Sequence, residues 1–525
     1  MAQIFATKSV EELIGDSEEG HTLKRALGPF DLIAIGIGCI IGTGIFVLTG
    51  KTAIENAGPG ILLSFVICGL ACIFSALCYA EFASLIPIAG SAYTFSYASL
   101  GELFAWIIGW DLILEYGVAT AAVANGWSSH FVNFLKLFFN IEWPARLALT
   151  PSETYLVDST RLHGVCNIPA VAITLIMACL LIVGIKESAR FNNVIVSVKT
   201  GVAVFFIAVG FFFVHPSNWA PLVPKFVPEA ANATGAVTSV YQTEVWKLIA
   251  GLFGAAPQNG FGGWGGIFMG AAIIFFAYIG FDAVSTTSEE AKNPQRDLPI
   301  GIVGSLIICT ILYILMSAVF TGIVRCDGTL KLDDLGVDKG APLVYAFKQV
   351  PSAWVQGIAA KLIDIGALCG ITSVLLVLLL GQSRIFFAMA RDGLLPQGIS
   401  EVHPRFQTPW RGTLFTGIIV GFVAALVPLG DIAEMANIGT LFAFVLVSGG
   451  IIFLRKHQPD KVAAFRTPLV PLVPILSIVS CVALMMSLPL ATWIRFVVWL
   501  VLGLIVYFGY GVHNSRLQKK LSDAA

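Results

Sequence analysis

Charge is what this 525-residue chain has least of. Lys, Arg, Asp and Glu make up 12% of it, where a soluble globular protein carries about 25%. The 31 basic and 32 acidic residues nearly cancel, leaving a net charge of −1. A large buried core does not account for the shortage, because a soluble chain of this length still needs a charged surface. Binding of nucleic acid is excluded as well, since it requires clustered Lys and Arg. Metal-ligand spacing is also missing. Ten Cys and seven His are present, without a CxxC or a Cys/His zinc pattern. Eight cysteines (Cys39, Cys68, Cys72, Cys78, Cys179, Cys309, Cys369 and Cys481) fall inside apolar runs, where a thiol acts as a small hydrophobe. Only Cys166 and Cys326 fall at or near loops. With no metal cluster, nucleophile–base pairing or phosphate loop, no metal, no cofactor and no enzymatic activity are expected.

Hydrophobic residues, in contrast, make up 57% of the chain. They gather into twelve runs near 31–57, 60–86, 100–134, 166–186, 190–214, 264–288, 298–324, 356–390, 412–430, 432–454, 467–488 and 492–512. Runs of about 20 apolar residues read as membrane-spanning helices. The expected fold is therefore an all-α polytopic membrane protein with twelve transmembrane helices. The acidic opening, MAQIFATKSVEELIGDSEEG, lacks the apolar stretch and cleavage site of a signal peptide, so the N-terminus is expected to be retained. Lys186, Arg190, Lys292, Arg296, Arg384, Arg391, Arg405, Arg411, Arg455, Lys456, Lys461 and Arg466 lie in even-numbered connections or at their edges. Opposite them, the turn near 430 has no cation and 51–59 has only Lys51. The positive-inside rule then places both termini in the cytoplasm. Residues 1–30 read as a cytoplasmic segment, 215–263 as an extracellular loop and 513–525 as a cytoplasmic tail. The sequon Asn232-Ala233-Thr234 falls in that outer loop, where it matters only in a host that glycosylates.

Two irregularities interrupt the pattern. The first run contains IGTGIF at 41–46, and the sixth contains FAYIGFDAVST at 276–286. Five spans separate them. That spacing suggests two five-span repeats, 31–214 and 264–454, the second inverted in the membrane, with the helices of 467–512 outside the repeat. Paired broken helices of this kind place a transporter's substrate site near the midplane. Gly42 lies eleven residues beyond Asp31, roughly 17 Å along a helix, close to the middle of a core of about 30 Å. Glycines there free backbone N–H groups to bind an anion at a half-helix N-terminus. Close helix packing is the alternative use of such glycines, and the second break at a matching place favours the binding site. Ile41, Gly42, Thr43, Gly44 and Ile45 are the expected carboxylate side of that site. Phe276, Ala277, Tyr278 and Ile279 are the expected ammonium side, through carbonyls that an unwound helix leaves unpaired.

The segments LKRALGPFDLIAIGIGCIIGTGIF (23–46), YAEFASLIPIAGSAYTF (79–95), FAYIGFDAVSTTSEEAKNPQRDLPIGI (276–302), SRIFFAMARDGLLP (383–396) and HPRFQTP (403–409) carry a resemblance. Taken together, the chain resembles the amino acid–polyamine–organocation superfamily from about residue 23 to 512, most closely its bacterial cationic-amino-acid-transporter branch. The resemblance implies a five-plus-five inverted-repeat fold with broken helices 1 and 6, two peripheral helices, and alternating access for L-amino acids. It also implies that Lys199, in NNVIVSVKTG, stands where sodium-dependent relatives hold a sodium ion against carbonyls of the broken first helix. Glu115 is similar to an acid found in this branch.

Ionisable groups inside spans cost about 2.5–3.5 kcal/mol near the helix centre and are functional candidates by default. Lys199 is nine residues into its span, about 14 Å deep. It either couples transport to protons, charged in one stage and neutral in another, or pairs structurally with a carboxylate. Glu115 stands four residues after Asp111 on one helix face, with proton or substrate chemistry and a structural role both open. Glu81 reads as a packing or gate residue, and Asp282 as a cap on the resumed sixth helix. Phe46, Phe276, Tyr278 and Phe281 flank the breaks as core residues or, for Phe281 above all, as a thin gate. Glu289, Glu290, Arg384 and Arg391 form either a cytoplasmic latch or a solvated surface. The expected function is a secondary active transporter of L-amino acids, proton-coupled and sodium-independent, in the plasma or bacterial inner membrane. An exchanger or polyamine carrier and a non-transporting amino acid sensor are the alternatives. A sensor usually needs a soluble domain, and about 30 polar N-terminal residues are too few for one. The expected partners are the amino acid, protons and lipid. A small regulatory membrane subunit is not indicated. No certain carboxylate awaits a cationic side chain, so neutral substrates are favoured.

Overall fold

Inside a bilayer a backbone finds no water, so it must bond to itself. The chain meets that demand almost wholly with helices. The computed structural model describes residues 4–8, 27–86, 88, 90–157, 160–183, 185–225, 227–228, 260–332, 334–335, 340–406, 408–457, 459 and 463–524. Most of 1–30 and 215–263, the sequon at Asn232 and Lys461 lie outside the described residues.

In chain order the helices are α1 (Pro29–Ile40), α2 (44–57), α3 (Ile61–Leu85), α4 (Ser91–Ser99), α5 (Glu102–Phe139), α6 (Ile168–Val183) and α7 (Ile185–Gly210). There follow α8 (Gly263–Ile274), α9 (Pro294–Ile323), α10 (Pro342–Lys348), α11 (Ala360–Arg391), α12 (Trp410–Leu426), α13 (Leu429–His457), α14 (Leu472–Met486), α15 (Leu490–Val506) and α16 (Arg516–Ala524). Two short antiparallel ribbons, Thr154–Val157 with Thr160–His163 and Val227–Pro228 with Gly260–Phe261, lie in connections. Among the described residues, eight helical stretches are long and apolar enough to cross a membrane, and four shorter apolar helices accompany them. Every apolar run in the sequence falls on one or more of these stretches. The protein is thus a mostly helical, polytopic membrane protein. Small helices α4 and α10 were not evident from hydropathy, because each is shorter than any span.

Local chemistry sets the helix ends. Asp31 of α1 accepts the Gly28 N–H at 2.8 Å, and Pro29 occupies the first turn, where a missing N–H costs nothing. α5 starts after Gly101 at φ +99° and stops at Asn140 in the left-handed conformation, which asparagine tolerates better than most residues. Pro294 opens α9, and its Asp297 accepts the Asn293 N–H at 3.2 Å.

The bundle is closed by α5 against α11 and α13, α3 against α9, and α1 against α9, α7 and α11. Its two ends are tied differently. At the end where α1 begins, Leu27 and Ala291 pair as a parallel bridge, Lys8 meets Asp392 at 2.8 Å, and Glu102 accepts the hydroxyls of Tyr97, Tyr507 and Ser515. At the other end, loop backbone holds α2 and α9: Gly262 donates to Asn56 at 2.8 Å and His215 to Gly322 at 2.9 Å.

Candidate functional site

The first apolar run does not form one continuous rod. The α1 ladder closes at Ile41 N–H to Ile37 O, 3.1 Å. Gly42 follows, and helical bonding resumes when Phe46 N–H donates to Gly42 O at 3.2 Å. The resumed helix starts as a π-helical turn, Gly44–Leu48, a geometry frequent at functional sites. The N–H groups of Thr43, Gly44 and Ile45 precede that first bond, as in any helix N-terminus. The sixth run breaks too. α8 tightens into a 3-10 turn at Phe275–Tyr278, and Gly280 adopts φ +110° before a second 3-10 stretch, Asp282–Glu290. A side chain at residue 280 would be strained there, so the glycine is required.

The two breaks meet. A Cβ on Gly44 would strike the backbone of Ala277, one on Gly42 would press the Val374 side chain, and one on Gly280 would approach Cys39 O. These glycines bring the two interrupted helices into backbone contact. The packing role posed for these glycines from the sequence is thus present at the same atoms as the expected binding site. Ile41, Gly42, Thr43, Gly44, Ile45, Phe276, Ala277, Tyr278 and Ile279 are all buried and all lie at this junction.

A helix that stops in mid-membrane strands its last carbonyls, and here specific side chains take them up. Lys199 Nζ donates to Gly38 O at 2.5 Å, to Ile41 O at 2.8 Å and to Ser373 Oγ of α11 at 2.6 Å. An ammonium group has three N–H donors, and all three are used. The side chain is wholly buried, and no carboxylate pairs with it among the described residues. The structural carboxylate partner weighed for Lys199 is therefore replaced by backbone. Tyr313 OH lies 2.8 Å from Ile40 O and 3.0 Å from Ala277 O, so one phenol spans both breaks. On the α8 side, Asn437 Nδ2 donates to Ala272 O at 2.7 Å and Ile273 O at 3.2 Å. Ser373, Tyr313 and Asn437 were missed from the sequence. A polar group in mid-span was their only signal.

The remaining candidates fall around this junction. Glu115 and Asp111 are buried on α5, and Glu115 Oε1 and both Asp111 oxygens lack a hydrogen-bond partner. Asp282 opens the second 3-10 stretch, and its Oδ2 also accepts Tyr116 OH of α5 at 2.8 Å. Phe281 is fully buried, with its ring centroid 5.0 Å from that of Phe444 and 5.9 Å from that of Tyr79. Away from the junction, Glu81 accepts Arg455 Nε and Nη2 at 2.9 and 2.8 Å and Thr467 N–H at 2.8 Å. Of the suggested latch, Arg384 reaches Glu290 at 3.2 Å, while Arg391 Nε is buried without a partner.

The amino acid permease family model matches residues 27–508. The chain belongs to the amino acid permease family. This is the amino acid–polyamine–organocation superfamily that the sequence motifs implied. The branched-chain amino acid permease BcaP of Bacillus subtilis (strain 168) is 46% identical over 516 residues, covering 98% of this chain and 99% of the relative. The methylthioribose transporter of the same organism is 43% identical over 519 residues, covering 99% and 100%. The vacuolar cationic amino acid transporter 4 of Arabidopsis thaliana is 36% identical over 463 residues, covering 88% and 68%. The protein is an integral membrane permease and not an enzyme.

Proposed function

We propose that this permease is a proton-coupled, sodium-independent secondary transporter of neutral L-amino acids, working by alternating access in the cell membrane. In this reading twelve spans form a five-plus-five inverted repeat with two peripheral helices, and both termini are cytoplasmic. The substrate carboxylate binds the N–H groups at the start of the resumed first helix, where a half-helix dipole favours an anion. Its ammonium binds carbonyls of Phe276 to Ile279.

One observation supports the coupling above all others: the Lys199 ammonium lies on the stranded carbonyls of Gly38 and Ile41. A cation on those carbonyls leaves no place for sodium. Burial disfavours the charged ammonium, while the carbonyls favour it. A neutral amine keeps two donors for the two carbonyls and offers a lone pair to the Ser373 hydroxyl, so both charge states fit the same three partners. Only the strength of the hold on α1 changes between them. Strong hold keeps α1 against α7; weak hold releases it and lets the breaks separate.

Uptake of labelled leucine, valine, isoleucine and alanine into liposomes, under an imposed pH gradient or an imposed sodium gradient, tests the reading. Accumulation driven by the pH gradient alone supports it. Accumulation driven by sodium at equal pH overturns it, and movement only against a preloaded amino acid identifies an exchanger. The near full-length likeness to a branched-chain permease favours aliphatic substrates. The likeness to a methylthioribose transporter carries a second reading, in which the substrate is a thio-sugar. Methylthioribose binds neither an ammonium nor a carboxylate site, so competition by it against leucine separates the two.

A further inference from the structure

One buried ionisable pair takes no part in the chemistry above. His130 Nδ1 on α5 lies 2.6 Å from Asp364 Oδ1 on α11, and neither side chain is exposed. Asn133, one turn further along α5, donates to the same oxygen at 3.5 Å. Three more atoms of this group, His130 Nε2, Asp364 Oδ2 and Asn133 Oδ1, are buried without a partner. A contact that served only to fasten two helices would need one hydrogen bond and no stranded atoms. A stranded polar atom is costly to bury, and buried ionisable groups inside a span are retained for function.

The charge states of the pair differ sharply. With one proton shared between them beyond neutral imidazole and carboxylate, the two groups are neutral overall. Without it, a carboxylate is left buried and uncompensated, which is strongly unfavourable. Along α5, Lys136 pairs with Glu142 at 3.0 Å, and Glu115 lies four turns further in. On α11, Lys361 Nζ sits over the Phe138 ring at 5.2 Å. The helices packed on these contribute Asp31 from α1, Lys199 from α7, Lys348 from α10, Arg495 from α15, Asp431, Glu434, Arg455, Lys456 and His457 from α13 and, at the start of α12, Arg411 against Glu401; α6 has no charged residue. The group also shares a seam with the coupling lysine. Asp364 and Ser373 are nine residues apart on α11, about 14 Å, and between them Gly366 and Gly370 pack on Val202 and Lys199 of α7.

We propose that His130 and Asp364 form a second proton-holding site, on the outer side of Lys199, through which external pH acts on transport. The proposal rests on the transport reading and orientation given above. Protonated, the pair holds α5 to α11 and closes the outer end of the seam. Deprotonated, it weakens that hold.

Two measurements on the full-length protein test it. In right-side-out proteoliposomes at fixed internal pH, exchange of labelled for unlabelled leucine requires no net proton movement. The wild-type KM for external leucine should change several-fold between about pH 5.5 and about pH 8.5 outside, the range in which histidine changes charge. His130→Asn and Asp364→Asn should each flatten that profile. A wild-type profile in His130→Asn, or a response to internal pH alone, overturns the proposal. The second measurement needs no transport: 15N NMR of the histidine-labelled protein, with His130→Asn identifying the signal. A His130 resonance that changes protonation state over the same range supports the site, and one fixed in a single state overturns it. Absence of any leucine exchange would count against the transport reading, while the NMR result still decides the pair.

Discussion

At the first break, the stranded carbonyls of α1 are held mainly by an ammonium group; at the second, carbonyls of α8 are held by an amide, and one of the 3-10 turn after it by a phenol that also reaches Ile40 O. Both solutions satisfy backbone that a membrane leaves without water. They differ in what can change them. The Tyr313 hydroxyl and the Asn437 amide donate in the same way at any physiological pH, whereas the strength of the Lys199 contacts depends on one proton. Charge-assisted hydrogen bonds are roughly twice as strong as neutral ones. In the transport reading proposed above, the first break is therefore the one that a proton can adjust.

Removing the adjustable element should have the largest effect. Lys199→Ala leaves the Ile41 carbonyl without its donor, at about 1–3 kcal/mol, and Gly38 O with only the Ser373 hydroxyl at 3.4 Å; it should abolish accumulation against a pH gradient while leaving some binding. Lys199→Arg should fail equally, because a guanidinium stays charged throughout the cycle. Gradient-driven uptake that survives in Lys199→Ala would show that the proton travels elsewhere.

Forcing the breaks apart comes next. Gly44→Leu drives a side chain into the Ala277 backbone, and overpacking of this kind costs about 1–3 kcal/mol or more. Membrane insertion should persist, with leucine affinity reduced at least about tenfold, a loss equivalent to 1.4 kcal/mol. Equilibrium binding to the purified mutant measures this, and unchanged affinity would remove the junction as the substrate site.

Tyr313→Phe sharpens the comparison, because it loosens both breaks without altering charge. It removes one donor from two buried carbonyls, so stability should fall by about 1–3 kcal/mol. The pH dependence of transport should keep its wild-type shape. A thermal melt and a pH profile of uptake check the two parts, and a displaced profile would mean that the phenol shares in coupling.

Glu115→Gln asks whether the adjustable element extends into α5. If Glu115 carries a proton, the substitution alters the pH profile of transport; if the profile is unchanged, the residue is structural. The smallest effect is expected from Glu290→Gln, which removes a part-exposed partner of Arg384. Such pairs contribute about 0–1 kcal/mol, so transport rates should stay within about twofold of wild type.

Much of this was legible in the chain. Low charge and long apolar runs identified a polytopic membrane protein, because a span must be apolar over its whole length and leaves a signal twenty residues wide. IGTGIF and FAYIGFDAVST marked the breaks, since glycine and a polar residue in mid-span have few other uses. Lys199 stood out for the same reason: no other basic residue lies so deep in an apolar run.

Ser373 and Asn437 did not stand out, because a short hydroxyl or amide side chain inside a helix can also bond to nearby backbone; Tyr313 did not, because an aromatic ring in a span also reads as core. Asp282 has a partner that its local sequence did not show. Its position after Gly280 fits capping, and only the fold brings Tyr116 of α5 within 2.8 Å. His130 and Asp364 are 234 residues apart, and no local pattern joins them.

The sequence by itself thus determined the solvent this protein lives in, where its helices run and where two of them stop, since each is a property of contiguous residues. Which side chains take up the stranded carbonyls was decided only by the tertiary structure. A hydrogen bond is fixed within a few tenths of an ångström, and the donors here come from α7, α9 and α13, with Ser373 of α11 accepting from Lys199, a set that only the packed bundle brings to one place.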